Sequence, residues 1–258
     1  MMGNLVFHQD QAISNIKILF LEDFFRQNYL LLIYAIEAIA AAVGLLLLKK
    51  YKSTVVKYFI YFLVYVVITS IIGGYPTHFE KFEFLSILRD KVKNTIFQQN
   101  YWWFTLFWSI GSVMFFSFYY QKILNNRHYI KIIKYVGYIF LFSSICYIAI
   151  HWSDFFISTI PFIKIFGANV MILCIVLYFI EILKSNKILN FYRSLNFYIS
   201  ISLLIWWLVI TPLVFYDIYF STADWSFVIL KWQIYLFANI FMYSMFTFAL
   251  IWCKPENN

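Results

Sequence analysis

Glu37 sits in NYLLLIYAIEAI, residues 28–39, a run that holds no other charge. A carboxyl inside an apolar segment binds something, carries a coupling proton or cation, or braces a neighbouring helix through hydrogen bonds. Tyr34, Glu37, Ala41 and Gly44 fall on one helical stripe, so the carboxyl faces the side whose small residues admit a second helix. Other polar groups interrupt other apolar stretches. At about 1.5 Å per residue, Glu37, Ser109 and Asn169 lie roughly 12 Å below the outer surface, and Asn239 roughly 15 Å. Thr69, Ser70, Ser143, Ser144 and Thr211 also fall in the outer half.

Two readings stay open. In one, Glu37, Ser109, Asn169, Asn239, Ser143 and Thr211 line a ligand pocket open to the outside, with Pro212 breaking a helix beside it. In the other, the same groups hydrogen-bond across helices and glue a bundle together. Glu181, beside Lys184 and Lys187, reads as a solvated ion pair at the inner rim.

Other chemistry finds little support. Cys146, Cys174 and Cys253 form no CxxC, and His8, His78, His128 and His151 are scattered without an HxxxH pair, so neither a disulfide framework nor a metal site is expected. There is no G-x-x-x-x-G-K-[ST], no G-x-G-x-x-G and no G-x-S-x-G. A retinal pigment would need a lysine deep in the last apolar stretch, and Lys231 stands only at its outer edge. No cofactor and no catalytic residue are expected, and the chain reads as a non-enzyme.

The elements that must position these groups are membrane helices. Hydrophobic residues make up 63% of the 258-residue chain and charged residues 12%, against about 25% charged in soluble domains. Apolar stretches fall near 29–48, 56–75, 101–121, 134–151, 161–183, 195–216 and 228–252, each close to the length a helix needs to cross a bilayer. Strands are excluded because these runs do not alternate as barrel strands do. The expectation is an all-α, seven-transmembrane-helix bundle over 29–254. Basic residues gather in three short loops: Lys49, Lys50, Lys52 and Lys57; Lys122, Arg127, Lys131 and Lys134; Lys184, Lys187 and Arg193. None of the three contains an acid, so the N-terminus is expected outside and the C-terminus inside. The net charge of +8 therefore reflects membrane orientation, not nucleic-acid binding.

No positively charged leader with a cleavage site is read at the N-terminus. Residues 1–28 are expected as a periplasmic amphipathic segment, and 78–98 as an interfacial helix with Phe82, Leu85, Leu88, Val92 and Ile96 on one face. Trp102, Trp103, Trp152, Trp225 and Trp232 stand where an aromatic belt belongs, while Trp108, Trp206 and Trp207 lie deeper. Residues 101–118 align without gaps on 231–248, matching Trp102 with Trp232, Leu106 with Leu236 and Phe116 with Phe246, among others. Such a repeat fits a 3+1+3 arrangement of helices, known among small transporters.

The stretches NYLLLIYAIEAI, LYFIEILKSNKILNFYRSLNFYISISLLIWWL and LFANIFMYSMFTFALIWCK resemble a loose group of uncharacterised seven-helix membrane proteins of Bacteroidetes, often found near signalling genes. The resemblance spans nearly the whole chain. It departs at Phe197-Tyr198, where the group's better-matching form carries Phe-Trp followed by a glycine. It implies no catalytic residues. The expected function is that of a receptor-like protein of a bacterial inner membrane. It binds a small molecule from the periplasmic side and, with only CKPENN after Trp252, signals through a separate protein partner. A 3+1+3 transporter coupled through Glu37, and an accessory subunit of an envelope complex, are the alternatives.

Overall fold

The computed structural model describes residue 24 and residues 27–185, 189–219 and 225–255, with the side chains of 217–219 and 225–226 outside that description. The expected N-terminal segment therefore lies almost wholly outside it, as do Lys187, Asp224 and the side chains of Asp217 and Trp225. Every regular element among the described residues is helical. The long helices are α1 (Gln27–Leu46), α3 (Val56–Gly73), α8 (Arg127–Ile150), α10 (Pro161–Leu183), α11 (Leu195–Tyr219) and α12 (Trp225–Trp252). These six contain stretches long and apolar enough to cross a membrane. Between 22% and 50% of each such stretch is buried inside the protein. The remainder, including Leu46, Phe142 and Ile145, needs lipid against it. The chain is an all-α membrane protein.

Shorter helices join them: α2 (Leu48–Tyr51), α4 (Tyr75–Lys81), α5 (Ser86–Val92) and α9 (Trp152–Ile157). The stretch 101–123 is helical throughout but not uniformly α. A π-helix, Phe104–Ile110, separates α6 (Tyr101–Trp103) from α7 (Gly111–Ile123). Its cause is visible in the neighbour. Tyr65 reaches across from α3 and donates from its hydroxyl to the Phe107 carbonyl at 2.6 Å. A Cβ on Gly111 would stand 2.7 Å from that hydroxyl, so the glycine leaves room for the inserted group. The 101–123 segment pairs antiparallel with the full length of α3. Trp103 donates to the Thr69 carbonyl at 2.9 Å near one end, and the rings of Phe118 and Tyr58 meet at 5.4 Å near the other.

Two sequence expectations need correction. The single helix over 78–98 is two short helices joined by a 3-10 turn, Glu83–Leu85, because Phe82 is extended. Asn94, in the left-handed region at φ 63°, follows α5; asparagine is one of the few residues that tolerates it. Pro212 does not break its helix, since α11 runs through it. Glu181 has a further role that its sequence neighbours did not reveal. Its carboxylate accepts from the backbone N–H groups of Asn125 and Asn126 at 2.8 and 3.0 Å and from the Asn125 side chain at 3.1 Å. It thereby ties the end of α10 to the turn before α8, whose N-cap is Asn126.

At the same end of the bundle, α2 folds under the last turn of α12. The fully buried Tyr51 donates to the carbonyls of Leu250 and Cys253 at 2.9 and 2.8 Å. Lys50 donates to those of Leu250 and Ile251 at 3.2 and 3.3 Å. These bonds satisfy carbonyls that a helix end leaves without intrahelical partners. A cation beside the negative pole of the helix adds to the effect. Partial burial lowers the pKa of the Lys50 ammonium below the ordinary lysine value.

Candidate functional site

Glu37, Ala40, Ala41 and Gly44 form the buried stripe of α1, at the i, i+3, i+4, i+7 spacing that keeps them on one face. A Cβ on Gly44 would stand 3.2 Å from the Ile60 side chain, so α1 approaches α3 closely along this stripe. Glu37 is only 5% exposed. Ser70 of α3 and Tyr243 of α12 stand within reach of its carboxyl, and Tyr34 and Tyr29 stand one and two turns before it on α1. Its Oε2 is buried and has no hydrogen-bond partner. A buried carboxyl oxygen left unpaired is costly, which marks this place as unusual.

A line of polar groups runs outward from the carboxyl. Tyr34, one turn before Glu37, places its hydroxyl 3.5 Å from Nε2 of His78 on α4. The same Nε2 is 3.2 Å from the Ile71 carbonyl. Gly74, between α3 and α4, leaves room for the Tyr34 hydroxyl, which a Cβ there would displace. Beyond His78, α4 and α5 flank an open cleft of about 350 Å³, lined by Phe79, Glu80, Arg89, Asp90 and Lys93 among others.

Inward, the ring of Tyr243 lines a cavity with Trp108, Ser112, Met171, Trp206 and Trp207. About 20 Å³ is open there to the centre of a water molecule, enough for roughly one water and too little for an organic ligand. Below it the bundle is closed by buried hydroxyls. Tyr119 donates to Oδ1 of Asn196 at 2.6 Å. The Tyr120 hydroxyl is 2.8 Å from Ser200 Oγ, which donates in turn to the Asn196 carbonyl at 2.8 Å. Tyr119, Tyr120 and Ser200 are fully buried.

The six side chains that the sequence put in one outer pocket are distributed differently. Glu37 is buried at the junction of α1, α3 and α12. Asn239 accepts from Trp206 Nε1 at 2.8 Å and so bonds α12 to α11. Asn169 is exposed and donates to the Ile165 carbonyl of its own helix at 3.1 Å. Ser143 and Thr211 likewise donate within their own helices, to Phe140 at 3.0 Å and Trp207 at 2.6 Å. Ser109 is half-buried on the π-helix. None of the six lines the tryptophan cavity.

Tyr243 escaped sequence reading, although it stands one turn after Asn239 on α12, a spacing that could have linked the two. His78 carries no such signal, since only the fold sets α4 beside Tyr34. Among the described residues, no group of three or more His, Cys, Asp or Glu side chains could hold a metal ion. No family model, no curated protein and no solved structure matches the chain.

Proposed function

We propose that this protein is a receptor-like, seven-helix protein of a bacterial inner membrane, sensing on its periplasmic face and signalling through a cytoplasmic or membrane partner. The observation that carries the reading is a contrast between the two halves of the bundle. The outer half holds a buried carboxyl with an unmet oxygen, the Tyr34–His78 pair and, between α4 and α5, an open cleft. The inner half is packed with hydrogen-bonded tyrosines. A transporter needs a path through both halves; a receptor needs only the outer one. A 3+1+3 transporter coupled through Glu37 is the second reading, favoured by the carboxyl alone.

Seven crossings rather than six are supported by how the helices run. The segment 101–123 starts where α3 ends, where Asn100 donates to the Gly73 carbonyl at 2.6 Å. It finishes at the end of α10, beside Glu181. It therefore extends as far across the bundle as α3, which is long enough to cross a membrane. The first and last helices also run in the same sense. Tyr29 and Trp232 meet near their starts, with ring centroids 6.3 Å apart, and Tyr51 follows α1 onto the end of α12. Parallel first and last helices require an odd number of alternating crossings. With seven, all three basic loops fall on the cytoplasmic side, as the distribution of lysine and arginine demands.

The test is reconstitution and extraction. Purified protein in sealed liposomes is expected to move neither protons nor solutes across the membrane. Mild detergent extraction from its native host is expected to bring along a partner with a cytoplasmic signalling domain. Steady flux through the liposomes would overturn the receptor reading and favour the transporter.

A further inference from the structure

The outward-sensing reading leaves open what the buried carboxyl binds, and the surroundings of Glu37 narrow the choice. The groups nearest it are Ser70 from α3 and Tyr243 from α12, with Tyr34 and Tyr29 one and two turns before it on its own helix. All are neutral hydroxyls, with oxygens that can accept and hydrogens that can donate. They satisfy part of the carboxyl and leave Oε2 bare. An ionised carboxylate in such a place is uncompensated, whereas a proton on Oε2 neutralises it without needing any room.

The outer line of polar groups supplies the route. If Nε2 of His78 carries hydrogen, the Ile71 carbonyl at 3.2 Å and the Tyr34 oxygen at 3.5 Å are the acceptors within its reach. The Tyr34 hydrogen is then free for another acceptor, and Glu37 stands one turn further on along α1. Half-buried His78 is the member of this line on α4, next in sequence to Phe79 of the outer cleft.

We propose that Glu37 is a proton-binding site loaded from the outer face through His78 and Tyr34, and that Tyr243 passes its state to the tryptophan cavity. The proton balance is simple. His78 takes a proton from outside at Nδ1 and gives the one on Nε2 to the Tyr34 oxygen; Tyr34 releases its own to Glu37. Tyr34 ends as it began, His78 ends as the neutral Nδ1–H tautomer and regains its Nε2 hydrogen by exchange with water, and Glu37 becomes neutral. The loss of charge changes what the Tyr243 hydroxyl bonds to. Tyr243 also lines the cavity with Trp108, Trp206 and Trp207, so the change reaches α7 and α11 through one side chain. The proposal rests on the outward-sensing reading for the direction of access, but the site itself does not depend on how the signal is used.

Infrared difference spectroscopy across a pH step, on protein in lipid nanodiscs, tests it. Wild-type protein is expected to show a protonated-carboxyl band that titrates, and Glu37→Gln to lose it. Tyr34→Phe, which keeps the ring, and His78→Ala are expected to keep the band but form it more slowly after the step. Tryptophan fluorescence is expected to follow the band in the wild type and to lose that dependence in Tyr243→Phe. A full band in Glu37→Gln would overturn the site. Unchanged rates in both Tyr34→Phe and His78→Ala would overturn the route. Fluorescence that still follows the band in Tyr243→Phe would overturn the relay. A proton leak in liposomes that Glu37→Gln abolishes would instead sink the receptor reading and leave the proton site standing.

Discussion

Single side chains decide the unusual features of this bundle, and their removal has calculable effects. Tyr51 donates to two terminal carbonyls of α12 from full burial, and phenylalanine would keep its shape and lose both bonds. Tyr51→Phe is therefore expected to cost about 1–3 kcal/mol, the usual penalty for leaving buried acceptors unpaired, read as a lower melting temperature in detergent. The effect should be softened because Lys50 still reaches the Leu250 carbonyl. Gly74→Ala is expected to push the Tyr34 hydroxyl away from His78, since the new methyl needs the space that hydroxyl fills. Gly74 has an ordinary negative φ and the displaced atoms are side-chain ends, so the variant should fold and still disturb the Tyr34–His78 pair. A crystal structure or a histidine NMR titration unchanged by Gly74→Ala would show that the contact is slack. The inward face of Glu37 was legible in its sequence stripe because small residues at i+4 and i+7 betray a close neighbour. Its partners were not, because Ser70 and Tyr243 come from helices whose rotation no single sequence states.

At the scale of the element, apolar length was easy to read and irregularity was not. Six of the seven apolar stretches became long helices, with ends shifted by a few residues, since a greasy run of about 20 residues has one stable form in lipid. The π-helix at 104–110 gave no warning, because its cause lies on α3 in the Tyr65 hydroxyl. Pro212 misled in the opposite direction. α11 runs through it, and prolines are tolerated in membrane helices where neighbouring groups satisfy the freed backbone. Tyr65→Phe removes the inserted donor and is expected to cost about 1 kcal/mol. If the hydroxyl holds the bulge open, hydrogen exchange around Phe107 should also slow as an α-helical ladder replaces it. Exchange that speeds up would mean that the bulge belongs to the backbone alone.

For the molecule as a whole, the proposed topology turns on one segment. If 101–123 crosses the membrane, the loop holding Lys122, Arg127, Lys131 and Lys134 is cytoplasmic, together with the other two basic loops. If it does not, that loop stays outside with four basic residues and no acid, against the usual charge rule. The competing arrangement also conflicts with the antiparallel pairing of 101–123 along all of α3. Two exposed positions separate the alternatives: Phe84 in the turn between α4 and α5, and His128 at the start of α8. In a background with Cys146, Cys174 and Cys253 replaced, Phe84→Cys is expected to react with a membrane-impermeant maleimide in intact spheroplasts. His128→Cys is expected to react only after lysis. Labelling of both in intact spheroplasts would leave six crossings and put the C-terminus outside. The three basic loops would then no longer share a side, and a partner docking at the cytoplasmic ends would lose its surface. The proton route would survive that outcome, since His78 and Phe84 belong to the same outer hairpin whichever way 101–123 runs.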